Sequence, residues 1–285
     1  MLAICPIDAA MSRPFLKMNG LGNDFVVVEA GSEPFAPTRE EVVAIASRQG
    51  AIGCDQVIAL SASATSDAHV RFWNADGEEV GACGNGSRCV GWLLMQACGR
   101  DEVSFETRAG RLIARRAGDL SVSVDMGRPG LDWTDIPLAE AMDTRGIELQ
   151  VGPIDAPLLH TPGCVSMGNP HVVFFVADAE AAPVREVGPM IEHHLLFPQG
   201  VNVGFAQVVS RDHIRLRVWE RGAGLTKACG TGACAALVAC ARRGLSDRQA
   251  RLELDGGLLH IDWRETDDHV IMTGPVALDY SGTLP

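Results

Sequence analysis

The apolar positions of this chain fall into the same series of runs twice. In the first series "FVVVEA" from Phe25 reads as an apolar, β-rich strand. A helix is predicted next, because Thr38 stands three residues before Glu41 and the two make a capping box. Strands follow at "QVIAL" and "VRFWN", then a cysteine–glycine loop. The apolar run "CVGWLLMQACG" then reads as a helix that stops at Gly99, and strands return at "VSFET", "LIARR" and "SVSVDM". The second series opens with "HVVFFVA" and carries "PVREVGPMIEHHLL" in the helix place, with weaker capping signals. It goes on through "VNVGFAQVV" and "IRLRVWE" to a helix, "CAALVACARRG", that ends at Gly244. "ARLEL", "LLHIDW" and "HVIM" close it, the first two turning through "DGG".

One offset relates the two series. "ACGNGSRC" from Ala82 and "ACGTGACA" from Ala228 place Cys83 and Cys229 146 residues apart. Kept without gaps, that offset lays Gly22 on Gly168, Asn23 on Asn169, Arg71 on Arg217 and Trp73 on Trp219. It also lays Gly110 on Gly256, Leu112 on Leu258, Val124 on Val270 and Met126 on Met272. The clustering of the matches at glycines and around the two cysteines points to one unit duplicated, near 15–131 and 161–277. The predicted fold is α/β (α+β): two pseudo-symmetric domains, each a β-sheet or barrel wrapped around a central helix, meeting at a cleft.

Composition narrows the class. The 285 residues are 47% hydrophobic and 21% charged, which suits a globular protein with a full core. No stretch approaches the roughly 18 consecutive apolar residues of a membrane span. A formal net charge of -12 argues against a nucleic-acid partner. Nine cysteines set in apolar runs favour a reduced, cytoplasmic protein over a disulfide scaffold. The start, residues 1–13, lacks the basic leader of a signal peptide and reads as an extension, within which Met11 is an alternative start.

Candidate chemistry lies at the duplicated loops. Backbone N–H groups at a helix start lack intrahelical acceptors and carry positive potential, so a thiol there is expected to ionise more readily than free cysteine. The loop glycines let backbone approach a ligand. Two such starts facing each other would cradle one carboxylate with a thiol on either side. That is the geometry for inverting a carbon centre: one group removes a proton from one face, and another returns it to the opposite face. The pair would then titrate as a coupled unit. Most buried cysteines are packing, and Cys89, Cys98, Cys234 and Cys240 read that way, with Cys5, Cys54 and Cys164 incidental. The C-x5-C and C-x4-C spacings do not suit structural zinc.

Polar pairs surround the thiols at equivalent places. Asn74 and Glu220 each follow an aligned tryptophan, and Gln56 and Asn202 correspond. Such amides suit a zwitterionic ligand, although asparagine before "ADG" also simply makes turns. Glu220 and Arg221 would hold an ammonium and a carboxylate, or else be surface ions. His171 is either a satisfied histidine or a modifier of a nearby thiol.

The segments "MNGLGNDFVVV", "GCDQ", "FWNADGEEVGACGNGSRCVG", "MGNPHVV", "FPQGVNVGF" and "RVWERGAGLTKACGTGACA" together resemble the diaminopimelate epimerase family from about Phe15 to near the end of the chain. The resemblance implies a cofactor-independent, homodimeric isomerase that interconverts LL- and meso-diaminopimelate on the route to lysine and peptidoglycan precursors. By motif it makes Cys229 the base toward the LL substrate and Cys83 the opposing acid. Asn23, Gln56, Asn74, Gly84, Asn85, Asn169, Asn202, Glu220, Arg221, Gly230 and Thr231 become substrate-binding residues, and His171 and Glu220 tune the thiols. It further implies that the last strand rejoins the first domain, giving domains of 14–128 plus 276–285 and 129–275. Asn19 stands where the family often has histidine, and Cys54 replaces another apolar residue.

Rival readings remain at this stage. A proline or hydroxyproline racemase would leave Asn74, Asn202 and Arg221 with less to do. The phenazine-pathway isomerase type lacks the two thiols. Only two lysines, Lys17 and Lys227, are present, and neither lies in a phosphate-binding motif, which disfavours a pyridoxal-phosphate enzyme. A thiol-based redox protein, with Cys83 and Cys229 as a reversible pair, is the reading from another class.

Overall fold

The computed structural model describes residues 13–30, 34–81 and 83–284, so residues 1–12 of the extension, with Cys5, lie outside the described residues. The chain runs β1 (Pro14–Gly20), β2 (Asn23–Glu29), α1 (Arg39–Ala46), β3 (Gln56–Ser61), β4 (Ala68–Asn74), β5 (Glu79–Val80), α2 (Gly84–Cys98), β6 (Glu102–Thr107), β7 (Gly110–Gly118) and β8 (Ser121–Asp125). A connection with a small hairpin, β9 (Gln150–Val151) and β10 (Leu159–His160), leads into the second series. That series is β11 (Gly163–Ser166), β12 (Pro170–Phe175), α3 (Val184–Glu192), β13 (Asn202–Ser210), β14 (His213–Glu220), β15 (Gly224–Thr226), α4 (Gly230–Arg242), β16 (Gln249–Leu254), β17 (Gly257–Trp263) and β18 (Val270–Pro275). The last strand, β19 (Ala277–Thr283), pairs antiparallel with β1.

The halves repeat each other's pairings. β2 runs parallel to β3 with Phe25 opposite Gln56, and β12 runs parallel to β13 with His171 opposite Asn202. β3 and β4 pair Val57 with Trp73, and β13 and β14 pair Val203 with Trp219. The gapless offset of 146 holds to this point and then drifts. Ala68 lies opposite Phe105 but His213 lies opposite Arg251, so the second unit carries one more residue between these strands. The next hairpin closes Thr107 on Gly110 in one half and Leu254 on Gly257 in the other. Gly110 therefore corresponds to Gly257, not Gly256, and both have positive φ, 126° and 135°. The aligned pairs after the helices are thus corrected by a residue or more, because loop length escapes a fixed-offset comparison.

Each half is a sheet wrapped around one helix, as expected. α2 is buried on every side along most of its length, as is α4, the pattern of a helix enclosed by other elements. Around α2 pack Phe25, Val27, Ile58, Leu60, Val70, Phe72 and Phe105. The outer faces of the same strands are also covered: Val26, Val28, Val57 and Trp73 lie under α1 with Val42 and Ile45. Burial on both faces explains why "FVVV" is continuous rather than alternating. The second half repeats this, with Val173 against α4 and Val172 and Phe174 beneath α3. Thr38 and Glu41 form the reciprocal capping box of α1, whereas Pro183 gives α3 no side-chain cap. β8 and β18 join the halves, with Val124 opposite Met272.

Candidate active site

Cys83 and Cys229 are the N-caps of α2 and α4, and they cap in the same way. Each has extended backbone, φ −138° and −120°, and each sulfur accepts from the backbone N–H three residues on, Gly86 and Gly232, at 3.4 Å. The two helix starts meet. A Cβ built on Gly84 would lie 3.5 Å from Gly230 Cα and 3.0 Å from Met272 Cε, so a side chain at either glycine would crowd the junction. The glycines therefore bring the helices together, in addition to any approach they allow a ligand.

The polar surroundings of the thiols differ. Cys83 Sγ lies 3.9 Å from Asn23 Oδ1, an acceptor for the thiol proton. Asn23 is fixed by donating from Nδ2 to Asp55 Oδ2 at 2.7 Å, and its Oδ1 also receives Asn85 Nδ2 at 3.4 Å. Asp55 in turn belongs to an ion cluster with Arg48, Asp24 and Lys17. Asn85 crosses to the other half, donating to Ala228 O at 3.2 Å. Cys229 Sγ instead meets Thr231 Oγ1 at 3.6 Å. Thr231 Oγ1 also accepts from Asn169 Nδ2 at 3.3 Å. Asn169 Oδ1 receives His171 Nε2 at 3.0 Å, so a chain of hydrogen bonds links His171 to Cys229. Cys83 thus faces an amide oxygen, whereas Cys229 faces the Thr231 hydroxyl and the Glu220 carboxyl.

Burial reverses the expected ionisation. Desolvation pushes the Cys83 thiol up to about 11, outweighing the donors at Gly86 and Asn85. The Cys229 thiol is pushed well above its usual value by the same cause and by nearby Glu220, against Thr231 and Gly232. Glu220 is itself raised by burial, is bonded to Thr226 Oγ1, and shares a hydrogen bond with Cys229. A helix start lowers a thiol's pKa where water or cation reaches it; here Cys229 is 4% exposed. His171 is fully enclosed and burial pulls its imidazole down to about 3, so it is neutral and serves Asn169 as the donor through Nε2. It touches Asn169, not a thiol.

The other expected residues divide into two groups. Gln56 Nε2 donates to Asn74 Oδ1 at 2.7 Å, and Gln56 Oε1 is buried without a partner, an acceptor suited to an N–H group. Asn74 also makes the turn that its sequence suggests, accepting at its carbonyl from Gly77. Asn202 spends its amide on backbone, donating to Pro170 O and accepting from Arg221 N, each at 2.9 Å. It shapes the Glu220–Arg221 turn. Arg221 is exposed and donates to Gln199 O. Asn19 caps the β1–β2 turn by accepting from Gly22 N. Cys98 is exposed at the end of α2, so its reading as packing is corrected. Asp55, Thr226 and Arg88 were missed by sequence reasoning. Asp55 lies within the quoted "GCDQ", but its link to Asn23 spans 32 residues. No disulfide joins the described cysteines, and no metal cluster occurs among the described residues.

Comparison with known proteins turns on these same segments. The model of the diaminopimelate epimerase family matches residues 15–131 and 163–278, taking in both thiols and every polar group named above. The chain belongs to the diaminopimelate epimerase family. It is 68% identical over 279 residues to the diaminopimelate epimerase of Phenylobacterium zucineum, covering 98% of this chain and 100% of that one. To the diaminopimelate epimerase of Caulobacter sp. strain K31 it is 66% identical over 284 residues, covering 96% and 98%. Among solved structures, a hydroxyproline epimerase of Agrobacterium vitis shares the fold at TM-score 0.67 and 17% identity, covering 98% of this chain and 94% of that one. A phenazine biosynthesis protein of Enterococcus faecalis does so at TM-score 0.67 and 16% identity, covering 96% and 99%. These distant likenesses speak to fold alone. Membership of the diaminopimelate epimerase family rests on the near-full-length identity.

Proposed function

We propose that the protein interconverts LL- and meso-diaminopimelate, without a cofactor, by two-base proton transfer at one α-carbon, in the supply of lysine and peptidoglycan precursors. The observation that carries this reading is the pair of thiols capping two helices whose first residues touch. The α-carboxylate sits against the N–H groups of Gly84, Asn85, Gly230 and Thr231, where the helix dipoles favour an anion. Cys229 as thiolate removes the α-proton from the LL substrate. The electron pair passes to the carbanion, delocalised into the carboxylate, and Cys83 delivers its proton to the other face. Cys229 ends as thiol and Cys83 as thiolate, and the reverse reaction exchanges the roles. The Thr231 hydroxyl, within reach to donate to a Cys229 thiolate, and Asn23 accepting from Cys83 support this division of labour.

The raised thiols fit the scheme, because the substrate brings its own cation. An ammonium beside Cys229 favours the thiolate, and it finds an acceptor in Gln56 Oε1. His171 and Glu220 act on Cys229 from behind, the first through Asn169 and Thr231. Asn74, Asn202 and Arg221 serve the distal end, where Arg221 offers a guanidinium to the second carboxylate. The same reading divides the chain into 14–128 plus 276–285 and 129–275, a division supported by β19 lying on β1. It includes a cytoplasmic homodimer with no nucleic-acid or membrane partner. Sedimentation at micromolar concentration is expected to give twice the chain mass of 30.3 kDa, and a monomer mass would reject the dimer.

The deciding experiment follows the α-proton. With reductant and no added cofactor, turnover of LL-diaminopimelate in D2O is expected to place deuterium at the inverted carbon, and proline is expected to be inert. Cys83→Ala and Cys229→Ala should each lower turnover by about 10²–10⁴-fold or more. Epimerisation without solvent exchange, or near-wild-type turnover in either variant, rejects the scheme.

A further inference from the structure

Arg88 is the largest of the fully buried side chains, at 0% exposure, and among the described residues no carboxylate pairs with it. Its Nη1 donates to Asn85 Oδ1 at 2.9 Å and approaches Met272 Sδ at 3.4 Å, and its Nε donates to Pro275 O at 3.4 Å. Nη2 has no hydrogen-bond partner among the described residues. An unpaired cation in a protein interior is costly, and replacing it by an apolar side chain is commonly neutral or stabilising. Folding therefore gives no reason for a guanidinium here.

Its position supplies one. Arg88 lies one turn into α2, beside the junction where Gly84 meets Gly230, with Met272 touching both the guanidinium and the Gly230 position. The titratable groups that feel its charge are Cys83, Cys89 and Cys234. The 146-residue offset maps Arg88 onto Cys234, so the second unit carries a neutral residue where the first has its cation. Two guanidiniums facing each other across this junction would repel, and one serves both helix starts.

We propose that Arg88 is a positioning residue for the reaction: its unpaired buried charge holds Asn85 across the junction and stabilises negative charge at Cys83 and at the carboxylate between the helix starts. The inference rests on the epimerase reading for its substrate, but its first consequence concerns the thiol alone. Such fixed charge is effective because it needs no reorganisation as the anion forms.

Arg88→Met tests it, with folding followed by thermal melting. The melting temperature should be kept or raised. Iodoacetamide alkylation of Cys83 at fixed pH, mapped by mass spectrometry, should slow about tenfold, since only thiolate reacts. Turnover per folded molecule should fall at least as far. Arg88→Lys and Arg88→Gln give a second comparison should Arg88→Met fail to fold: the charged variant should keep more of both signals. Wild-type alkylation of Cys83 in Arg88→Met, or equal behaviour of the Lys and Gln variants, overturns the proposal. A wild-type protein that fails to epimerise diaminopimelate overturns the functional reading instead, and leaves the alkylation result to stand or fall by itself.

Discussion

His171 shows how a site residue's role follows from burial. Its imidazole is pulled down to about 3, whereas in the unfolded chain it titrates near the usual 6.5. Between those values the unfolded state binds the extra proton, so stability is expected to fall as pH drops below about 6.5. His171→Leu should flatten that slope, and it should cost about 1–3 kcal/mol at neutral pH by leaving Asn169 Oδ1 without its donor. Urea unfolding at several pH values reads both effects; an unchanged slope would deny the neutral, buried histidine. At this scale the duplication made Cys83, Cys229, Asn23 and Asn169 legible, because each sits in a repeated phrase. It did not reveal Asp55 or Arg88, whose importance comes from partners distant along the chain: Asn23 for the first, Pro275 and Met272 for the second.

At the scale of elements, the central helices were readable and their fit was not. Gly99 ends α2 with φ 69° and Gly244 follows α4 with φ 68°, as the left-handed stop requires. Inside α2, Gly91 has no such backbone need. A Cβ there would fall 2.4 Å from Ala114 Cβ on β7, so the helix lies against the sheet with no room for a methyl group. Gly91→Ala should raise helix propensity by about 1 kcal/mol yet destabilise the protein by about 1–3 kcal/mol through overpacking. A variant at or above wild-type stability in thermal unfolding would show that β7 yields more easily than this contact suggests.

At the scale of the whole molecule, the interior is rich in neutral thiols. Burial pushes Cys54 and Cys83 up to about 11 and Cys89, Cys164, Cys234 and Cys240 up to about 12. Unfolded, each would ionise near 9. Across the window from about 9 to 12 the folded state therefore holds the extra protons, and stability should fall steadily as pH rises through it. Melting temperatures that stay level between pH 8.5 and 10.5 would contradict this. The same burial governs access. Cys229 and Asn85 are 4% and 2% exposed, and the surface grooves along α1 and beside β10 include neither.

Periodicity and repetition by themselves determined that this chain is one α/β unit written twice, with a thiol at the start of each central helix. These are local matters of side-chain spacing and backbone preference, and a sequence records them directly. The tertiary structure alone decided that the helix starts touch, that one thiol faces the Asn23 amide and the other Thr231 and Glu220, and that both are raised rather than lowered. Desolvation and through-space charge depend on everything packed around an atom, and those neighbours come from β2, β14, β15 and β18 as much as from the helices themselves.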